Sequence, residues 1–143
     1  MAEPTPKTER PLPQPDDDLV AEFWAHCARE ELRFQRCSAC MTWRHLPRLR
    51  CARCGSGAFS WERSSGRGRV HSWTITHQAP LRAFASRTPY AVLVVELEEG
   101  VRMVAGLVDA NPDVLRLDLP VELVFEHVAL DAALPQFRPR EER

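Results

Sequence analysis

Two hydrophobic periods follow one another along this chain. Leu19, Phe23 and Cys27 recur at i, i+4 and i+8, with Val20 and Trp24 beside them. This spacing predicts an amphipathic helix of about three turns. Asp16, Asp17 and Asp18 mark its start, because carboxylates favour the positive end of a helix dipole. The period then drops to two. Leu32 and Phe34 alternate with Arg33 and Gln35, which predicts a strand, and Thr42 to Leu46 and Phe59 to Trp61 predict two more. Pro47 ends the second of these, since proline has no N–H to donate. Ser64-Ser65-Gly66-Arg67-Gly68 is a turn signal. Beyond it, strands are predicted over Val70–Thr76, Tyr90–Leu97, Val101–Val108 and Val121–Val128. The run YAVLVVEL from Tyr90 reads as a central strand buried on both faces. Gln78 to Thr88 forms a long polar loop, Asp109 to Asp113 breaks the pattern, and Val114-Leu115 suggests one turn of helix. Leu134 to Pro139 ends the chain in an extended form. Short strands in close succession fit a small antiparallel barrel.

Cysteine placement changes this picture most. Cys37-x-x-Cys40 is followed after ten residues by Cys51-x-x-Cys54. A CxxC turn lets two sulfurs reach one metal, and ten residues suffice to run out along one strand and back along another. The pattern predicts a zinc ribbon closed by Cys37, Cys40, Cys51 and Cys54, one structural Zn²⁺ per chain, because Zn²⁺ takes four thiolates tetrahedrally. An iron site of rubredoxin type would use the same four sulfurs. Two disulfides would need an oxidising compartment, and no secretory signal is visible. Cys27 lies in the predicted helix and reads as a small buried hydrophobe. Trp43, Phe59 and Trp61 are expected to cover the metal site. Gly55 follows the second knuckle, where positive φ is often needed. Met41 holds the equivalent place after the first.

Composition and charge divide the chain. Residues 1–15, with five prolines, are expected to be a flexible tail. Residues 16–63 carry the helix and ribbon, and 64–143 the barrel. A ribbon by itself has little core and relies on its metal, whose binding contributes on the order of 10–16 kcal/mol in small zinc domains. The net charge is −1, but Leu32 to Arg69 holds nine arginines against one acid, Glu62. A basic ribbon on an acidic body suggests an anionic partner for the ribbon face: nucleic acid, the phosphates of a cofactor, or an acidic protein surface. No apolar run reaches the length of a membrane span, and the chain reads as cytoplasmic.

FWAHCAREELRFQRCSAC, CARCGS, SGRGRVHSWTITHQAP, YAVLVVELEEG, VELVFEHV and LPQFRP, in this order, resemble the family once called domain of unknown function 35. The resemblance covers about Phe23 to Pro139. It implies a mainly β chain, in which an N-terminal helix and rubredoxin-like ribbon precede a five-stranded OB-fold barrel. It also implies a non-catalytic accessory subunit of a thiolase-fold enzyme: a thiolase, an acyltransferase, or an aldolase that shortens acyl-CoA side chains in lipid or steroid catabolism. The partner enzyme would then supply the nucleophile or base, and acyl-CoA would meet this chain through the complex. Two positions depart from the family pattern. Met41 replaces a glycine common after the first knuckle, and Asp118 stands where glycine is often found.

No GxSxG, HExxH or phosphate-loop pattern is present. His26, His45, His71 and His127 read as packing or surface residues. His77, opening the long loop, is the one histidine placed for a functional contact. A partner interface is expected to draw on Phe23 and Trp24 of the helix and on Arg44 and Arg48 of the ribbon arm. The alternative is a nucleic-acid-binding protein, since OB-folds bind single strands on aromatic platforms in a basic groove. Against it, the arginines cluster in the ribbon and the barrel segments are acidic.

Overall fold

The computed structural model describes residues 10–141. Part of the expected tail, residues 1–9, lies outside the described residues. Helix α1 (Asp18–Ala28) begins where the aspartates predict: the Asp17 carboxylate caps it by accepting from the Val20 N–H at 2.7 Å. Its buried face is Phe23 and Cys27. Strands β1 (Arg33–Cys37), β2 (Trp43–Arg44) and β3 (Phe59–Arg63) form a small antiparallel sheet with β1 in the middle.

The second sheet contains β4 (Arg67–Thr76), β5 (Tyr90–Leu97), β6 (Arg102–Gly106), β7 (Pro120–Ala129) and β8 (Ala132–Pro139), in the order β6-β5-β4-β7-β8. The sheet curls until its two edges meet. Leu107 bridges Phe137 in parallel, and the Val108 N–H donates to the Phe137 carbonyl at 2.9 Å. Circular order β4-β5-β6-β8-β7 is the OB-fold arrangement. A bulge at His71, between Val70 and Ser72, bends β4 so that its first part pairs with β7 and its whole length with β5. Gly68 lies where the strands crowd closest: an added Cβ would stand 2.5 Å from the Glu96 carbonyl oxygen.

Several predicted elements shift. The expected extended end is a strand, β8, hairpinned to β7 through pairs from Ala129↔Ala132 to Val121↔Pro139. The strand expected over Thr42–Leu46 shortens to Trp43–Arg44. The loop Gln78–Thr88 contains a short helix, α2 (Arg82–Ala85). The helical turn expected at Val114-Leu115 is a 3₁₀ turn over Pro112–Val114, capped by Asn111. Arg10 was expected in a free tail. Its guanidinium instead pairs with Glu126 and lies over the Phe84 ring, 5.7 Å from the centroid.

Helix, ribbon and barrel share one buried cluster. Phe23, Cys27, Leu32 and Phe34 pack with Val70, Leu93, Val95 and Phe137. The Ser64 N–H donates to the Leu32 carbonyl at 2.8 Å, tying the chain across the point where the two sheets join. The boundary drawn after residue 63 therefore marks a change of sheet, while the core runs through it.

Candidate metal centre

The two knuckles are built alike. In the first, the Cys37 N–H donates to the Thr42 carbonyl and the Met41 N–H to the Cys37 carbonyl, both at 2.9 Å. In the second, the Cys51 N–H donates to the Ser56 carbonyl and the Gly55 N–H to the Cys51 carbonyl, again at 2.9 Å. The residue after each second cysteine has positive φ, +63° at Met41 and +78° at Gly55. This tight turn folds each CxxC back on itself and aims both sulfurs to one side.

All four Sγ atoms lie within 4.8 Å of one another. Cys37 and Cys54 are 3.5 Å apart and Cys40 and Cys51 3.6 Å. Zn–S bonds of about 2.3 Å in a tetrahedron put sulfurs roughly 3.8 Å apart. The donor set thus fits one tetrahedral metal ion. The thiols also behave as a cluster that needs a cation. The Cys40 N–H, the largest influence, pulls Cys37 below its ordinary pKa. The Thr42 hydroxyl brings Cys40 down to about 6. Cys54 moves the other way, up to about 11: the Ser56 backbone lowers it, but Cys37, burial and the other thiols raise it more. Like charges this close cannot all ionise alone. A bound Zn²⁺ holds all four as thiolates, and with four protein ligands its role is a structural cross-link. Arg50 and Arg53 stand beside the centre. Arg50 donates to the Gly55 carbonyl at 3.1 Å, and the Arg53 N–H to Cys51 Sγ at 3.4 Å.

The aromatics expected over the metal make further contacts within the ribbon and to the helix. Trp61 turns to the helix: its Nε1–H donates to Glu22 at 2.6 Å and its ring lies 5.4 Å from His26. Phe59 and Trp43 carry the guanidinium groups of Arg44 and Arg36, at 5.1 and 4.9 Å. Cys27 is fully buried, and burial pushes its thiol up to about 12, which makes it inert.

Of the expected interface residues, Phe23 is buried and Arg44 is half-buried at the ribbon surface. Phe23 is 5 % exposed and packs against His45, so its ring serves the core. Arg44 is held by the ribbon, donating to Gln35 Oε1 at 2.9 Å and the Arg48 carbonyl at 3.0 Å. Trp24 is half-buried and Arg48 exposed. His77 is exposed at the head of its loop. Gln35 escaped the sequence reading, whereas His45, read as a packing or surface residue, packs. Gln35, fully buried, fastens β1 to the ribbon arm: its Oε1 accepts from the Arg48 N–H at 2.7 Å and its Nε2 donates to the Arg48 carbonyl at 3.0 Å. His45 is wedged between Phe23 and Phe34, 5.2 and 5.1 Å away, and burial depresses its pKa to about 4. Alternation placed Gln35 outward, and its partner Arg48 is too distant in sequence for a local pattern to reveal the contact.

Comparisons with known proteins agree with this architecture. Residues 24–60 match the family model of the ChsH2 rubredoxin-like zinc ribbon domain, and residues 61–126 that of the ChsH2 C-terminal OB-fold domain. A probable enoyl-CoA hydratase alpha subunit of Thermomonospora curvata is 40% identical over 142 residues. That match takes in 97% of this chain but spans only 43% of the relative's length. A DUF35 domain-containing scaffold protein of Methanocaldococcus jannaschii is 32% identical over 117 residues, 80% of this chain and 82% of the relative. Among solved structures, one described as Ltp2-ChsH2(DUF35) aldolase superposes with a TM-score of 0.81 at 36% identity, covering 88% of this chain and 98% of the matched one. With both modules matched in the order in which the chain folds them, this protein belongs to the DUF35 family of ChsH2-type zinc ribbon–OB-fold proteins.

Proposed function

We propose that this chain is a non-catalytic accessory subunit of an enzyme acting on acyl-CoA thioesters, and that its partner is a thiolase-fold enzyme. The observation that carries this reading is the likeness to the ChsH2(DUF35) chain. It spans 98% of that chain, which is named jointly with Ltp2 as an aldolase. The scaffold and hydratase-subunit names of the other relatives point the same way. The chemistry of the site is consistent with it. A metal held by four cysteine thiolates offers no position for a catalytic water. The histidines take packing or surface positions: His45 packs between two aromatic rings, His26 lies against Trp61, His127 meets Glu30 at 3.3 Å, and His71 and His77 are exposed.

In this reading the partner supplies the nucleophile or base, and this chain completes and stabilises the assembly. The acyl group is that of a lipid or a steroid side chain, as the family resemblance implies. The expected result is that the purified chain neither cleaves nor condenses acyl-CoA thioesters, while the partner's turnover depends on it. Turnover by this chain alone, abolished by a point change such as His77→Ala, would overturn the assignment.

A further inference from the structure

We propose that the trough between α1, the ribbon arm and the outer face of the β5–β6 hairpin binds an anionic amphiphile, an apolar body joined directly to a carboxylate or phosphate. The trough has two parts that share His45 and Arg102. The first, about 520 Å³, is walled by apolar side chains including Val20, Trp24, Leu46, Val94, Val104 and Leu134. The second, about 410 Å³, runs against Arg44, Arg48 and Arg102, with Glu96 the acid in its wall.

Strand register sets the change of polarity. Val94 pairs with Val104, and Glu96 with Arg102, on the outward face of the hairpin. These pairs are two residues apart, about 7 Å along the strand. Their neighbours Leu93, Val95, Met103 and Ala105 are the ones that fill the core. Val104 is left 66 % exposed. Arg102 faces Glu96 at 3.8 Å in a half-exposed pair. Such pairs are worth little, so a bound anion can recruit the guanidinium. Arg44 lines the same end, its Nε and Nη2 donating to Gln35 Oε1 and the Arg48 carbonyl. Three guanidinium groups against one carboxylate leave a net positive end, and guanidinium geometry suits carboxylate and phosphate. A mostly apolar hollow with a few convergent polar groups is the usual form of a small-ligand site.

Spacing also selects the ligand. In a coenzyme A thioester a pantetheine arm separates the acyl chain from the phosphates. Here the cationic end begins one residue pair beyond the apolar floor, so a free acid or a phosphate monoester is the better fit. Trp24 and Arg48, which line the trough, are also the surface residues expected to meet a partner, so the site is tested on this chain by itself.

The test is titration of the full zinc-loaded chain with laurate, dodecyl phosphate and neutral dodecanol, followed by calorimetry and Trp24 fluorescence. Laurate and dodecyl phosphate should bind at least tenfold more tightly than dodecanol. Arg102→Glu should weaken the two anions at least tenfold and leave dodecanol unchanged, whereas Val104→Asp should weaken all three. Both positions are exposed, and unchanged zinc content and melting temperature would show that the variants fold. Laurate binding no tighter than dodecanol, or both variants binding like the wild type, would overturn the site. So would a wild-type chain that binds no amphiphile while Val104→Asp abolishes its complex with an enzyme, because the trough would then be a protein-docking surface.

Discussion

Met41 and Asp118 show how single positions depart from a pattern and how the fold accommodates them. Both stand where the family resemblance expects glycine, and both have left-handed backbone, with φ of +63° and +62°. Aspartate visits this region at small cost, whereas a long side chain such as methionine does so at about 1–2 kcal/mol. Met41→Gly should therefore stabilise the zinc-loaded protein by about 0.5–1 kcal/mol, because glycine's greater freedom when unfolded cancels part of the gain. Thermal unfolding at constant zinc measures this, and an unchanged or lower melting temperature would refute it. His45 makes a second residue-scale prediction. Its folded pKa, about 4, lies below the ordinary histidine value of about 6.5. Folding thus favours the neutral ring, and this stabilisation is full above about pH 6.5 and lost as pH falls toward 4. Between pH 7 and 5 the wild type should lose about 2 kcal/mol more than His45→Phe, which keeps the ring packing without the titration. Urea midpoints of the two proteins, each at both pH values, decide it; parallel losses would show that His45 does not titrate with folding. The four cysteines could be read from the sequence because their spacing is local. Gln35 and Arg44 could not, since what they do depends on a contact with Arg48 across the ribbon.

Elements were legible where period and punctuation agree. The aspartates before α1 and the apolar run of β5 placed both close to their observed positions. β8 was missed because Pro135 and Pro139 resemble the punctuation of a chain end. Their tolerance has a structural basis: β8 is the last strand in the ladder order and meets β6 at the single Leu107↔Phe137 bridge. Missing N–H groups are accommodated along such an edge. The ribbon is the element whose stability depends most on chemistry. Its strands are short, and its loops are joined through the four sulfurs. Cys51→Ser should lose the metal and unfold the ribbon, because three thiolates no longer offset the cost of ordering it. Elemental analysis of freshly purified wild type should find one zinc per chain. A wild type without zinc, or a fully metallated and folded Cys51→Ser, would contradict this.

At the scale of the whole molecule, helix and barrel form one body because Phe23 and Cys27 enter the same core as Leu93 and Val95. Packing of that kind across distant segments has no signature in a single sequence, which is why Phe23 looked like an anchor for a partner. Trp24 and Arg48 remain at the surface for that role. Among the described residues, no helix is long and apolar enough to cross a membrane. If Trp24 anchors the partner, Trp24→Ala should weaken assembly by more than ~1 kcal/mol. A change at exposed Arg48 should act mainly on association rate and its salt dependence. The most direct test of the accessory role is to co-express this chain with a thiolase-like enzyme from the same source and determine the mass of the purified assembly at micromolar concentration. The account predicts a stable hetero-oligomer built around a dimer of the enzyme. Two chains eluting separately, with the enzyme soluble and fully active alone, would contradict it.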